Sequence, residues 1–280
     1  MDLTSLPTVA DRVGYLPASA RHPRYTIYPP SAGRPSERPP IEYHAAVFHD
    51  CRPVLDELLL DRDGLAFRRT AAATDDLFDD EFVRGRYYAE TETVVREVTG
   101  ARAVVAFDHN VRSADRARRE EAGAQPPVDA AHGDYSEGSG HRRVREVFVD
   151  RGVRITDATR TAIVNVWRPI CAVVQDRPLA VCDPRTVSPD DLVETAIDHF
   201  GEDVARPRHS GQIYSLRFSA AHRWLYLADM RSTELMLFTA FDSATDGRPR
   251  FVAHAAFTNP TCPSGFTPRE SIEVRTAVVF

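Results

Sequence analysis

Lysine is absent from this sequence, because all 35 basic residues among its 280 positions are arginine. The absence excludes any mechanism that uses a Schiff base on lysine, including anchored pyridoxal phosphate. It also excludes a P-loop, since that motif needs a lysine for the phosphates of its nucleotide. A side chain that holds a carboxylate by two parallel hydrogen bonds must therefore be an arginine, whose planar guanidinium suits this geometry.

Cysteine and long apolar segments are also scarce. The four cysteines are scattered and form no Cys-x-x-Cys pair, which argues against a zinc finger or a dense disulfide framework. No apolar run is long enough to span a bilayer, and the N-terminus lacks the basic-then-apolar pattern of a secretory signal. We therefore expect a cytoplasmic location, reduced thiols and no membrane partner.

Positive charge is not in excess either. The formal net charge is -6, which gives no reason to expect a general affinity for nucleic acid or acidic membranes. The chain is 42% hydrophobic and 27% charged, as ordinary globular proteins are. The expected partner is a small molecule, and a homodimer is left open.

The first part of the chain differs in composition from the rest. Residues 1–50 are rich in proline and arginine and predict an extended arm that crosses the surface or is partly disordered. Residues 51–280 show no repeat and no sharp linker, and they predict one domain. Within it, residues 51–100 predict a helical flank with helices over residues 53–61 and 79–98. Residues 101–280 predict the core.

The core is predicted to consist mostly of strands. They are expected near residues 64–69, 102–109, 132–134, 160–170, 178–182, 212–218, 224–228, 234–241, 251–257 and 271–280. The charged residues 112–127 predict a mobile surface excursion. Ser188-Pro-Asp-Asp191 has the features of a helix start and predicts a helix that extends to Phe200. The whole pattern indicates a mainly β fold with an α flank, an antiparallel jelly roll.

A His-x-Asp triplet offers the first chemistry. On an extended strand, His132 and Asp134 point to the same side, and Gly133 faces away. His254, in the apolar run 251–257, is the best candidate for a third ligand. Two histidines and one carboxylate with open positions form the facial triad of non-haem Fe(II) oxygenases. His209 and His222 are weaker candidates for the distal ligand because they lie near predicted loops.

The last strand offers a second constellation. By its period of two, Arg269, Ser271, Glu273 and Arg275 share one face. An arginine beside a hydroxyl is the arrangement that a buried carboxylate needs, such as the far carboxylate of 2-oxoglutarate. Arg269 and Ser271 are therefore predicted to bind this cosubstrate. For Arg275, pairing with Glu273 explains its position equally well.

Other polar or aromatic residues could line the same pocket. Alternation on the strand 160–170 prevents Asn165 and Arg168 from both pointing inward. A purely structural role explains each of these residues equally well. The candidates are Asn165 for the cosubstrate, and Tyr135, Trp167, Arg168, His109 and Arg112 for a substrate.

Several motifs taken together resemble one family, the CmcJ/AsaB-like hydroxylase/desaturases of bacterial and fungal secondary metabolism. The resemblance covers residues from about 65 to the C-terminus, and the first fifty residues match weakly. Each motif alone is weak, but the combination is specific. The motifs are His132-Gly-Asp-Tyr135, Asn165-Val-Trp-Arg-Pro169, Pro178-Leu-Ala-Val-Cys-Asp183, His254-Ala-Ala-Phe257 and Arg269-Glu-Ser-Ile-Glu-Val-Arg275, with Tyr87-Tyr-Ala-Glu90 and Phe107-Asp-His109 followed by Arg112.

The resemblance implies a double-stranded β-helix, which is a cupin-like jelly roll, and an enzyme that uses Fe(II), 2-oxoglutarate and O2. It implies His132, Asp134 and His254 as the iron ligands. The implied reaction is hydroxylation or desaturation of an unactivated C–H bond in a small natural product, with succinate and CO2 as co-products. Two alternatives remain at this point: a cupin-type metalloenzyme that does not use 2-oxoglutarate, and a jelly roll that binds a small molecule without catalysis.

Overall fold

The computed structural model describes residues 5–72, 76–122, 124–156 and 159–280. The strands in these ranges are β1 (Thr8–Tyr15), β2 (Arg24–Ile27), β3 (Glu42–Asp50), β4 (Leu65–Arg69), β5 (Ala103–Ser113), β6 (His132–Gly133), β7 (Thr161–Pro169), β8 (Val173–Val174), β9 (Leu179–Cys182), β10 (Leu192–His199), β11 (His209–Leu216), β12 (Trp224–Tyr226), β13 (Met230–Arg231), β14 (Glu234–Asp242), β15 (His254–Ala256) and β16 (Glu270–Val279). The helices are α1 (Leu60–Asp63), α2 (Asp80–Phe82), α3 (Tyr88–Thr99), α4 (Arg116–Ala122) and α5 (Glu137–Val149). Short 3-10 turns cover Pro30–Ala32, Arg52–Glu57, Pro184–Thr186 and Pro189–Asp191, and a π-helical turn, Val83–Tyr87, joins α2 to α3.

Two sheets carry the fold. The larger sheet has the strand order β1-β3-β12-β9-β15-β6-β11-β10-β2, and the smaller one has the order β4-β14-β7-β16-β5. A hydrophobic cluster joins their facing sides, with Trp167 and Phe238 from the smaller sheet against Val181 and Leu225 from the larger one. This sandwich of two mostly antiparallel sheets agrees with the predicted jelly roll.

Helices cover the outer face and one end of the smaller sheet. Val95 of α3 packs against Val164, Val166 and Val278. Phe148 of α5 packs against Phe241 and other residues of β14, β7 and β16. The predicted helix over residues 79–98 is therefore confirmed in its extent, and Gly100, with a φ of +66°, ends it in the left-handed conformation that glycine adopts without strain.

The predicted helix after Ser188 is wrong. Ser188 does cap a turn, but only the 3-10 turn Pro189–Asp191, through a capping box with Asp191. The chain then continues as strand β10, which pairs with β11 and β2. Val193, Thr195 and Ile197 are β-branched and suit a strand, and the Thr195 hydroxyl donates a hydrogen bond of 2.8 Å to Ser215 on the neighbouring strand. Pairing within the sheet thus outweighs the local helix signal.

The first fifty residues differ from the predicted arm. Strands β1 and β3 form a regular antiparallel pair, and β2 pairs in parallel with β10 at the opposite edge of the larger sheet. Both edges of that sheet therefore consist of N-terminal chain.

The segment predicted as a mobile excursion contains the helix α4, and α5 was not predicted at all, although Ser136 and Ser139 form a capping box at its start. Of the helices in the described ranges, none is long and apolar enough to cross a membrane.

Candidate active site

Two short, adjacent strands bring together the three predicted metal ligands. His132 on β6 lies directly opposite His254 on β15, and their ring centroids are 4.5 Å apart. Asp134 follows β6, and its Oδ1 lies 3.9 Å from the Nε2 atoms of both histidines. The ligand atoms of the three side chains all lie within 4.8 Å of one another. This spacing suits one small cation with bonds of roughly 2.0–2.2 Å to each ligand.

Backbone carbonyls orient both imidazoles. The Nδ1 of His132 lies 2.8 Å from the carbonyl of Ala130, and that of His254 lies 3.4 Å from the carbonyl of Val252. A proton on Nδ1 satisfies each carbonyl and leaves Nε2 as the free lone pair that points toward Asp134. Burial lowers the pKa of both rings, for His132 to about 4, so both are neutral near pH 7, which is the form that binds a metal.

The carboxylate of Asp134 divides its two oxygens between two tasks. Its Oδ2 accepts hydrogen bonds from Nδ2 of Asn165 at 2.6 Å and from Nε of Arg275 at 3.0 Å. Burial would raise the pKa of Asp134, but the charge of Arg275 and its hydrogen bond to the carboxylate hold it well below its usual range. Asp134 is therefore an oriented anion whose Oδ1 is directed to the histidines.

Strand β16 supplies the opposite wall, on the smaller sheet. The predicted face of Arg269, Ser271, Glu273 and Arg275 is confirmed, because all four side chains line one narrow pocket together with the three ligand residues. The antiparallel register places Arg112 of β5 beside Ser271 and places Trp167 of β7 beside Glu273. The pocket thus lies between the predicted metal ligands on one sheet and a row of polar side chains on the other.

Arg269 is a buried cation, and the described residues to which its side chain hydrogen-bonds offer neutral oxygens. It is 1% exposed, and its guanidinium donates to the Ser271 hydroxyl at 3.1 Å and to the carbonyl of Arg177 at 2.7 Å. Its carbon Cζ lies 5.0 Å from the ring centroid of Trp167. Within the described ranges its side chain forms no ion pair, and burial lowers its pKa to about 9. A charge that is desolvated without a counter-ion indicates a place for an anionic ligand.

Arg275 is engaged in a different way. Besides Asp134, its guanidinium contacts Asp108 at 2.9 Å and Glu273 at 3.1 Å. These three carboxylates occupy its donors, and they raise its pKa against the effect of burial. Arg275 therefore orients Asp134, whereas Arg269 has a donor edge for an incoming carboxylate.

The other predicted pocket residues fall into two groups. Trp167 and Arg112 line the narrow pocket, and Tyr135 lines a larger cavity next to it. Arg168 points away, since it donates to the carbonyls of Ser232 and Ala71. His109 lines neither cavity and hydrogen-bonds to Tyr88 at 2.9 Å.

The two alternative histidines lie apart from the metal-ligand cluster. His222 contacts Asp191 at 3.1 Å and stacks on Tyr15. His209 lies in the larger cavity, opposite His199. Only His254 joins His132 and Asp134 in a cluster of three ligand atoms among the described residues.

Several cavity residues were missed by the sequence predictions. Asn110 lies two positions before Arg112 on β5, so alternation along that strand could have found it. Tyr25, Arg38 and Ile41 come from the N-terminal segment, whose composition gave no signal for a cavity. Only the pairing of the N-terminal strands brings these residues near the metal ligands.

Comparison with known proteins agrees with this geometry. A family model described as "Oxidoreductase/YMDC permease-like domain" matches residues 13–280. The Fe(II)/2-oxoglutarate-dependent dioxygenase nvfI of Aspergillus novofumigatus is 32% identical over 240 residues, covering 84% of this chain and 83% of the relative. The hydroxylase/desaturase asaB of Aspergillus flavus is 36% identical over 130 residues, covering 44% of this chain and 56% of the relative.

A solved structure is similar over almost the whole chain. It is the iron and alpha-ketoglutarate-dependent endoperoxidase NvfI, with a TM-score of 0.82 and 28% sequence identity, and the match covers 98% of each chain. The predicted jelly-roll fold class is thereby confirmed.

Proposed function

This chain belongs to the Fe(II)/2-oxoglutarate-dependent dioxygenases of natural-product biosynthesis, and from that premise we propose which of its residues carry the reaction. The cofactors of the family are Fe(II), 2-oxoglutarate and O2. Our proposal assigns the iron to His132, Asp134 and His254. The single observation that carries it is the convergence of their three ligand atoms within 4.8 Å.

The donor set fits Fe(II). Two neutral imidazoles and one carboxylate bind one face of the ion and leave the opposite positions open for other ligands. Bound Fe(II), with 2-oxoglutarate and O2, supplies the oxidation that breaks an unactivated C–H bond and yields succinate and CO2. The protein supplies the position: carbonyls hold the imidazoles in one tautomer, and Asn165 and Arg275 hold Asp134.

We assign the far carboxylate of 2-oxoglutarate to Arg269 and Ser271. In support, Arg269 is buried without an ion pair among the described residues, and it lies within hydrogen-bond distance of the Ser271 hydroxyl. Arg275, the other candidate, is occupied by three carboxylates, and we assign it, with Asn165, to the orientation of Asp134. Trp167 forms a wall of the cosubstrate pocket.

We assign the substrate to the larger cavity, of about 630 Å³, which reaches His132 and Asp134. A cavity of this size suits a small organic molecule. The outcome we propose is hydroxylation or desaturation of a C–H bond. Tyr135 and Arg112 are its proposed contacts from the sequence. We propose that the catalytic domain extends the predicted range, residues 51–280, by the N-terminal strands β1, β2 and β3, which pair within the larger sheet. A cytoplasmic location and a homodimer stay predictions from the sequence.

The decisive experiment is an anaerobic titration. Protein loaded with Fe(II) and then titrated with 2-oxoglutarate should develop the visible absorption band of the iron–keto acid chelate. His132→Ala should not bind iron, and Arg269→Ala should bind iron but need far more 2-oxoglutarate. Iron binding without a band would instead favour a cupin-type metalloenzyme that does not use 2-oxoglutarate. Failure to bind iron at all would favour a jelly roll that only holds a small molecule.

A further inference from the structure

The two cavities share part of their lining, including two arginines, Arg112 and Arg275. Arg269, Ser271 and Trp167 line only the narrow pocket, and Arg38 lines only the larger cavity. Arg112 lines both, because it lies on β5 beside Ser271 and points across the boundary between them. A group bound to Arg112 from the larger cavity would therefore lie close to the metal ligands without occupying the place of the cosubstrate.

Arg112 is positively charged without a carboxylate in contact. Its Nη1 donates to the carbonyl of Pro126 at 2.9 Å and reaches the amide oxygen of Gln125 at 3.4 Å, both of which are neutral. It forms no ion pair with any residue that the structure describes. Burial, followed by the charges of Arg275 and Arg38, lowers its pKa, and Glu273 and Asp134 compensate only in part. Arg112 is thus a half-buried cation with neutral partners that lines the cavity, where an anion can pair with it.

Arg38 is a second arginine of the larger cavity. It is exposed, it lines the larger cavity, and in the described ranges it forms no ion pair. By contrast, Arg143, on the same cavity, lies 3.4 Å from the carboxylate of Glu146. Among the described residues, the arginines of this cavity without an ion pair are therefore Arg112 of β5, Arg38 of the N-terminal segment and the exposed Arg142 of α5.

One side of the cavity wall is apolar. Half-buried side chains from the N-terminal segment and from β10 and β11 face the same space, and they are Tyr25, Ile27, Ile41, Ile197 and Ile213. Such walls bind a hydrocarbon body, and a few placed cations fix its orientation. Arginine binds a carboxylate with two parallel hydrogen bonds, which adds direction to attraction.

We propose that the substrate is a carboxylic acid with a hydrophobic body, whose carboxylate binds Arg112 and is drawn in by Arg38. This inference rests on the proposed function and names the chemical class of its substrate. Anchored at Arg112, the carboxylate lies at the edge of the metal pocket, so the C–H bonds nearest to the acid group are the ones presented to the iron. The N-terminal segment then contributes directly to substrate selection.

The test uses a matched pair of probes. 1-Naphthylacetate and its neutral isostere 1-naphthylacetamide are titrated, by fluorescence, into anaerobic protein loaded with Fe(II) and 2-oxoglutarate. We expect the acid to bind about tenfold more tightly than the amide, the size of one charge-assisted pair. Arg112→Gln should abolish this preference and leave the affinity for the amide unchanged. Arg38→Gln should reduce it a few-fold, and Arg143→Gln, the matched control, should keep it.

The same samples show whether Arg112 binds the carboxylate of the substrate or that of 2-oxoglutarate. If Arg112→Gln weakens 2-oxoglutarate binding, measured by the visible band, and leaves the acid preference intact, Arg112 serves the cosubstrate and the inference is overturned. Equal affinities of acid and amide in the unaltered protein would overturn it too. A normal band with no acid preference refutes only the substrate class, whereas a missing band refutes the proposed function. If Arg112→Gln does not fold, the preference for the acid over the amide is measured in Arg38→Gln and in Arg112→Lys, which keeps the charge, and these two variants still test the inference.

Discussion

The two walls of the active site are built in different ways. On the larger sheet, the metal ligands lie on short strands of two and three residues, β6 and β15, or just after them. On the smaller sheet, the polar row lies along β16, a strand of ten residues that is paired on both sides over most of its length. The first wall depends on a few backbone hydrogen bonds around the ligands. The second is a continuous part of the core.

This difference indicates which property of the site a substitution on each wall should change. The metal ligands are held by what contacts them, namely two carbonyls, Asn165 and Arg275. The proposed cosubstrate residues are held by the register of a long strand whose other face, with Ile272 and Val274, is packed against Tyr87 and Tyr88. Substitutions on the first wall should therefore change metal binding, and those of Arg269 and Ser271 on the second should change ligand affinity with little effect on the metal.

The largest effect is expected from the ligands themselves. His132→Ala and Asp134→Ala should each abolish iron-dependent succinate formation, since two remaining ligands do not hold Fe(II) against water and dilution. Circular dichroism should still show a folded β protein. Metal analysis of anaerobically purified protein gives the direct measurement. Turnover retained by either variant would remove the assignment.

A substitution on the opposite wall should separate the two ligands of the reaction. Arg269→Ala should raise the 2-oxoglutarate concentration at half-saturation by about 100-fold, since a buried charge-assisted pair is lost and the hydroxyl of Ser271 remains. Iron affinity should change less than about threefold, because Arg269 contacts no metal ligand. Both quantities come from one anaerobic titration series. Equal losses in both would contradict the division between the walls.

Arg275 connects the two walls and sharpens the comparison. Arg275→Lys keeps a charge near Asp134 but loses the three-way hydrogen bonding to Asp134, Asp108 and Glu273. We expect iron affinity to fall by about 10-fold to 100-fold, as for other groups that orient a metal ligand. The requirement for 2-oxoglutarate, measured at saturating iron, should stay nearly constant. A selective loss of cosubstrate affinity would instead assign Arg275 to the far carboxylate.

The smallest effect is expected from a histidine outside the site. His222→Gln removes the contact with Asp191 and the stacking on Tyr15. The free energy of unfolding should fall by about 1 kcal/mol, the usual net value of one hydrogen bond. Iron content should equal that of the unaltered protein. Loss of iron in this variant would show that the metal site is not the cluster around His254.

Much of the fold was predictable because its signals are local. β7 and β16 show strong alternation or apolar runs, and α3 has both its apolar stripe and its glycine stop, so their approximate extents follow from sequence. β10 was not predictable, since the helix signal at Ser188 is real and reaches only one turn. The N-terminal strands were missed because a segment rich in proline and arginine gives no clear strand pattern. The stability of these short strands comes from pairing with β10 and β12.

The amino-acid sequence by itself determined the chemistry that this protein can perform: a His-x-Asp triplet, a distant histidine, and an arginine and serine on one face of a strand follow from residue type and the period of two. Only the tertiary structure decided how these groups share the work. It paired Arg275 with carboxylates, gave the side chains of Arg269 and Arg112 neutral partners within the described ranges, and brought the N-terminal strands to the cavity. The physical reason is that ion pairs and cavity walls depend on distances between strands that are far apart in the chain, which no local pattern specifies.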